Sequence, residues 1–342
     1  MPAVSVVIPT YRPGRYLREA ISSVVGQSMI DWELLLVDNA SGVDLAPFVT
    51  DPRIRVITES HPGAAWARNA GIGAATGDFV ALLDEDDVWL PRKLERQLEA
   101  MRSHPTASLC HSAVAVIDDG GELLHNKRGT DVSYRGILAD RGMMATSSLL
   151  VRKEVIRGVG GYDITFANAE DFDLALRLLY SCEPVYIDEV LVEYRLHPDN
   201  RSRGYVNQGH QALRALADNR RRALLQKDWQ SWRASWQGTI SKRHGYARNA
   251  FSRSYRSHRA GQPLTMVAWH LAQGLKFSPP TLLFAVLEHF RTKSSPAWIE
   301  LDSWERAGME AASKPRCAEP REKDPSTDGE NGTSKASRDA VS

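Results

Sequence analysis

Gly77-Asp78-Phe79-Val80-Ala81-Leu82-Leu83-Asp84-Glu85-Asp86-Asp87 is the stretch that decides the fold. Residues 78–83 read as a strand that is apolar on both sides, which suits a sheet covered on both faces. Carboxylates cluster directly after it. Like charge concentrated at a strand end costs free energy unless a cation offsets it. Hard oxygen ligands suit Mg²⁺ or Mn²⁺, which typically bridge protein carboxylates and substrate phosphates. The competing reading is an acidic turn open to solvent.

Working outward, residues 4–8, 33–37 and 54–57 are three more short apolar runs, and 15–26 and 63–75 have helical spacing. Strands alternating with helices predict a parallel sheet with helices on both faces. Ligands of such sheets bind at the carboxyl ends of the strands, where Asp38 and Asp84 sit. The region 105–200 is mixed. Residues 107–117 and 147–151 predict strands, 118–121 a turn, 170–180 a helix, and 185–187 and 190–194 two short strands. The fold class is α/β, a doubly wound mixed sheet with a C-terminal helical extension.

The chain has 342 residues, 43 basic and 42 acidic, for a net charge of +1. That balance conceals a division. Residues 1–200 carry −10, 201–312 carry +11, and 313–342 are balanced. Such asymmetry suggests an anionic partner for the basic segment. Cys110, Cys182 and Cys317 form no CxxC pair, which argues against a disulfide framework or thiolate zinc site and for a reducing compartment. No signal peptide and no membrane-spanning apolar run is expected, so the reading is cytoplasmic.

Three further constellations carry chemistry. Asn168-Ala-Glu170-Asp171-Phe-Asp173 opens a helix. Acids there complement the macrodipole, or one of them serves as a general base. Gly63-Ala-Ala-Trp-Ala-Arg68-Asn69-Ala-Gly71 is small enough for close helix–sheet packing, and Arg68 can meet an anion. Tyr194-Arg195-Leu-His197 follows a short strand, where Arg and His could hold a leaving phosphate.

In order and context, these segments resemble family 2 glycosyltransferases of the GT-A fold. The resemblance rests also on Val4-Ser-Val-Val-Ile-Pro-Thr-Tyr11, Ser22-Ser-Val-Val-Gly-Gln27, Trp32-Glu-Leu-Leu-Leu-Val-Asp38 and Gly160-Gly-Tyr162, and covers residues 1 to about 200. It implies an inverting, metal-dependent transfer of sugar from a nucleotide-diphosphate donor to an acceptor hydroxyl. It implies a catalytic domain over 1–204, with 1–100 as the nucleotide half and 101–204 as the acceptor half. Thr10, Tyr11, Asp38, Asn39, Arg68, Asp84, Arg195 and His197 would meet the donor. Asp86 and Asp84 would hold a divalent cation, Mn²⁺ or Mg²⁺. Asp171 matches the general base, with Glu170 beside it. The family commonly shows two acids after the second strand. Asn39 replaces one here, which leaves UDP as the favoured nucleotide with dTDP and GDP open.

A metal-dependent nucleotidyltransferase is the alternative enzyme, but no Gly-rich phosphate loop stands near residue 10. A degenerate glycosyltransferase acting as an interaction module would not need Asp84, Asp86, Glu170 and Asp171. The expected setting is surface polysaccharide or glycolipid synthesis, with a saccharide or lipid-linked saccharide as acceptor and no nucleic acid as partner. Residues 205–312 read as a basic, Trp-rich helical extension and 313–342 as a disordered tail. Leu264, Val267, Leu271 and Leu275 make an apolar stripe at i, i+3, i+7, i+11, which Leu282, Val286 and Phe290 would extend. The extension either packs on the catalytic domain with its cations in water, or 205–293 docks at the inner face of an anionic membrane.

Overall fold

The computed structural model describes residues 1–127, 132–197, 200, 205–283 and 286. The expected tail and Phe290 lie outside them.

The four apolar runs are β1 (Val4–Thr10), β2 (Trp32–Asp38), β3 (Ile54–Thr58) and β4 (Phe79–Leu82). β1 pairs in parallel with β2 and β4, and β2 with β3. Helices α1 (Arg15–Val25) and α2 (Ala64–Ala74) return the chain between them. Successive strand residues point to opposite faces. Val4, Val6, Ile8, Leu34 and Leu36 pack with Leu17, Ile21 and Val24 of α1. Val7, Leu35 and Val37 pack with Ala67 and Ile72 of α2. Burial on both sides explains why these runs show no polar alternation. The seating of α2 is close: a Cβ at Gly71 would lie 2.3 Å from Val7 Cγ1.

The chain continues through β5 (Val88–Trp89), α3 (Lys93–Ser103), β6 (Leu109–Ile117), β7 (Leu123–Lys127), α4 (Tyr134–Leu138), β8 (Leu150–Arg152), α5 (Lys153–Gly158), α6 (Glu170–Ser181) and β9 (Pro184–Arg195). The sheet order is β3-β2-β1-β4-β8-β6-β9-β5, with β7 on β6. β8 is antiparallel to β4 and β6, and β5 to β9, so one mixed sheet runs through both halves. The run at 147–151 divides: Thr146–Ser148 is a 3-10 turn and the strand starts at Leu150. The two short strands at 185–194 are one strand. Ser112 pairs with Ile187 and Ala113 with Val190, so Asp188 and Glu189 bulge out of the ladder.

Lys93 is fully buried. Its Nζ stands 3.7 Å from the centre of the Trp89 ring and 3.3 Å from the Leu149 carbonyl oxygen. Burial drives its pKa far down. The folded chain therefore holds this amine neutral while the unfolded chain protonates it. Stability must rise with pH across the window from the depressed value to the ordinary lysine range. Lys93→Met is expected to raise the melting temperature at neutral pH and to flatten that alkaline rise, read by thermal melts from pH 7 to 10.

The C-terminal helices are α7 (Tyr205–Leu225), α8 (Trp229–Arg259) and α9 (Leu264–Phe277). Asp228 caps α8 by accepting from Ser231 N at 3.1 Å. Small residues, among them Ala234, Ser235, Gly238 and Ala250, form the buried side of α8. At Gly238 the helix touches the end of α4: a Cβ there would stand 1.9 Å from the Leu138 carbonyl oxygen. Lys242 pairs with Asp140 at 2.8 Å along the same seam. Gly238→Ala is expected to loosen α8 from the sheet domain, at the upper end of the about 1–3 kcal/mol of overpacking. A lowered melting temperature and faster proteolysis would show it. The expected apolar stripe of α9 is split. Val267 and Leu271 are half-buried, whereas Leu264 and Leu275 are 74% and 52% exposed.

Candidate active site

The carboxyl ends of β1 and β4 open into a cleft of about 1680 Å³. The acidic run crosses its floor, and each carboxylate meets a different environment. Asp84 Oδ1 accepts from Arg68 Nη2 at 2.5 Å, and Arg68 Nη1 donates to Glu170 Oε1 at 3.3 Å. Arg68 is buried, with its Nε lacking a partner. Glu85 turns back to the end of β1, where it accepts from the Thr10 hydroxyl and from Tyr11 N. Burial raises its pKa against those bonds. Asp87 is buried beneath the run, accepting from Ser147 Oγ at 2.5 Å and Arg195 N at 3.0 Å. Burial, then the Asp86 and Asp84 charges, push its carboxyl well up.

Asp86 faces the cleft. Its Oδ2 lies 2.9 Å from His197 Nε2 and 3.2 Å from Asn200 Nδ2. A carboxylate and an imidazole at the cleft wall form a donor set that suits Mn²⁺ better than Mg²⁺, whose usual ligands are oxygens. The residues present therefore fit a substrate-shared cation. Among the described residues no three His, Cys, Asp or Glu converge as a ready-made cluster.

The first turn of α6 separates three acids by environment. Asp173 Oδ2 is bound by Arg177 Nη2 at 2.6 Å, and Arg177 Nη1 also donates to the carbonyl oxygens of Val159 and Gly161. That acid is structural. Glu170 is buried against Arg68. Asp171 is open to the cleft. The protein walls around it, then the neighbouring Glu170 carboxylate, raise its pKa. A carboxylate with raised proton affinity, in reach of a ligand, has the properties of a general base. Behind it lies a second cavity of about 420 Å³, which Asp171 shares with Lys127, Gln208, Lys242 and Tyr246.

Thr10, Tyr11, Asn39, Arg68, Asp84, Asp86, Glu170, Asp171 and His197 all line the one cleft. Asp38 and Arg195 are not among its lining residues. Asp38 Oδ1 accepts from Ser41 N at 2.9 Å. Arg195 is buried behind the acidic run, where it binds Glu19 and the Asp86 carbonyl oxygen. It therefore positions the run rather than reaching into the cleft. The Asn39 amide also serves the backbone, donating to the His61 carbonyl at 2.7 Å and accepting from Gly63 N at 2.8 Å.

Sequence reading missed Asn200 and Ser147, and it missed the contribution of α8. Asn249, Arg253 and Arg256 line the cleft, so the basic segment turns part of its charge inward. Their 4- and 3-residue spacing continues from Lys242 and Tyr246 and was the available signal.

The sequence profile of Glycosyl transferase family 2 matches residues 5–157. These residues form a family 2 glycosyltransferase domain. The profile ends before α6, so Glu170, Asp171 and His197 lie beyond it. The chain is 29% identical over 209 residues to an uncharacterized glycosyltransferase of Methanocaldococcus jannaschii, covering 57% of this chain and 71% of that one. It is 29% identical over 180 residues to the UDP-Glc:alpha-D-GlcNAc-diphosphoundecaprenol beta-1,3-glucosyltransferase of Escherichia coli, covering 52% and 69%. The chain spans 71%, 25%, 52% and 36% of the length of four curated relatives it matches. In structure it is similar to a mannosyltransferase of Pyrobaculum calidifontis solved with GDP-Man and Mn²⁺. That match has a TM-score of 0.56 and 15% identity, over 90% of this chain and 86% of that one. The mixed sheet with its helical layers is thus a GT-A fold, extended by C-terminal helices. Among the described residues, no helix is long and apolar enough to cross a membrane.

Proposed function

We propose that the protein moves a sugar from a nucleoside diphosphate donor to an acceptor hydroxyl with inversion, Asp171 acting as base. The observation that carries this reading is the separation of roles in the cleft. The Asp171 carboxylate is open to the cleft and has a raised proton affinity, whereas Asp86 is engaged with His197 and Asn200. In the step, the acceptor hydroxyl gives its proton to Asp171 and its oxygen bonds to the anomeric carbon. The bond from that carbon to the phosphate oxygen breaks, and the nucleoside diphosphate leaves with the electron pair. Inversion follows from a base opposite the leaving group, the logic of carboxylate-assisted displacement at a sugar. Asp86 and His197, with Asp84 nearby, would hold a divalent cation, which offsets charge on the departing diphosphate. Arg68 keeps Asp84 and Glu170 in place beneath the sugar.

UDP is the favoured nucleotide. The E. coli relative is named for UDP-Glc and the Pyrobaculum structure contains GDP-Man, so both are tested. A thermal-shift screen of UDP- and GDP-sugars with Mn²⁺ should give one class that raises the melting temperature, because a ligand of the folded state stabilises it by mass action. Asp86→Ala should remove the metal-dependent part of that shift. Equal shifts with and without Mn²⁺ in both proteins would overturn the metal role, and no shift with any nucleotide sugar would overturn the donor.

The acceptor we favour is a lipid-linked saccharide in surface polysaccharide or glycolipid synthesis. α9 exposes Leu264, Trp269 and Leu275 on a basic segment. Apolar side chains with surrounding cations suit an anionic bilayer surface. The protein should pellet with anionic vesicles and stay in solution with neutral ones. Negligible pelleting with both would remove the membrane contact.

A further inference from the structure

The cleft has two walls of opposite charge. The acidic run and the first turn of α6 supply one. The other is a single face of α8: Lys242, Tyr246, Asn249, Arg253 and Arg256 follow at spacings of 4, 3, 4 and 3, the repeat that keeps side chains on one side of a helix. Lys242 and Tyr246 line the small cavity that Asp171 shares, and Asn249, Arg253 and Arg256 line the main cleft. The face therefore begins beside the base and runs away from it. Helical rise places Arg253 about 10 Å and Arg256 about 15 Å beyond Tyr246 along the axis.

We infer that this face of α8 binds a phosphate or diphosphate carried by the acceptor, with the arginines gripping the anion while the attacking hydroxyl lies at Asp171. The span from Tyr246 to the arginines is the length of a short saccharide. The inference rests on the reading of Asp171 as the base. Its chemistry is the fork geometry in which guanidinium groups hold phosphate oxygens. Both arginines are half-buried in the wall, so their charge is screened less than at an open surface. His270 of α9 lines the same wall. Burial, then the charges of Arg253 and Arg256, lower its pKa, which places all three in one positive field. The arrangement also accounts for basic residues in a segment outside the family profile. The donor carries a diphosphate too, so the same chemistry has a second source.

The experiment separates the two sources. Full-length protein is titrated calorimetrically with hexyl diphosphate in metal-free buffer, and separately with UDP and Mn²⁺. Arg253→Gln/Arg256→Gln is expected to weaken hexyl diphosphate at least about tenfold, a loss of about 1.4 kcal/mol. It should leave UDP–Mn²⁺ affinity within about twofold of wild type, well under that step. Arg253→Lys/Arg256→Lys keeps the charge but not the fork, so its affinity should lie between those of wild type and the Gln variant, and unchanged melting temperatures of both variants control for folding. Three results would overturn the inference: no binding of hexyl diphosphate to wild type, binding indifferent to the Gln variant, or UDP–Mn²⁺ affinity falling in parallel. The last would assign the arginines to the donor. A protein that binds hexyl diphosphate through these arginines but no nucleotide would fail the proposed donor and leave the anion site standing.

Discussion

Asp171→Asn is expected to lose transfer by about 10²–10⁴-fold, the usual contribution of a positioned base, while donor affinity stays near wild type. The amide has the shape of the carboxylate but cannot take the acceptor proton. The side chain is open to the cleft, and its one described bond is the 2.7 Å contact to Phe172 N, which an amide oxygen can also accept. Folding should therefore survive, and a thermal melt would show it. Turnover with the donor class found by thermal shift, beside a calorimetric titration of the nucleotide, separates chemistry from binding. A fully active variant would remove Asp171 from the mechanism. The raised pKa adds a pH signature. Transfer needs the ionised carboxylate, so activity should fall on acidification at a pH above the ordinary aspartate range. Glu170→Gln removes one cause of the shift and should move that acidic limb downward.

Arg68→Met is expected to be the most destabilising single change in the site. The arginine is buried between Asp84 and Glu170, and its removal takes a shared cation from both carboxylates. Breaking a buried pair from one side costs about 3–5 kcal/mol. Asp84 keeps some contact with cleft water, which places the loss toward the lower end. The variant should regain stability as pH falls. Protonation removes the charge that Arg68 no longer offsets. The gap in melting temperature from wild type should therefore narrow toward the ordinary carboxylate range. Arg68→Met/Glu170→Gln should recover part of the loss at neutral pH. A gap that does not change with pH would show that packing, not charge, explains it.

The first four strands were legible because burial on both faces leaves a plain apolar signature. The break at Asp188 and Glu189 was legible too, but as a gap between strands, because a local pattern does not distinguish a gap from a bulge that pairing elsewhere bridges. The clusters at Asp84–Asp87 and Glu170–Asp171 marked the cleft, since dense like charge needs a reason. Which acid does what was not legible. Asp87 and Asp173 look like their neighbours in the sequence, and only the bonds from Ser147, Arg195 and Arg177 set them apart. Arg195 was read toward the cleft because it follows a strand end, yet Glu19 and the backbone draw it behind. The α8 face was hidden for another reason. Its arginines sit in a helix with basic residues on several sides, so no one-sided charge pattern stands out in the sequence.

β5 is two residues long, yet it decides how the enzyme can be rebuilt. Val88 and Trp89 come from the first hundred residues but pair with Glu193 and Val192 at the far edge of the sheet. The acidic run is thus suspended between β4 in the middle and β5 at the rim. A chimera joined at residue 100 would give the loop two anchors of different ancestry, and a mismatch in either would shift Asp84 and Asp86 together. Donor preference is therefore not a detachable cassette in this chain. A working exchange must carry β1 through β9 as one piece, with its seam at the contact of α4 and α8.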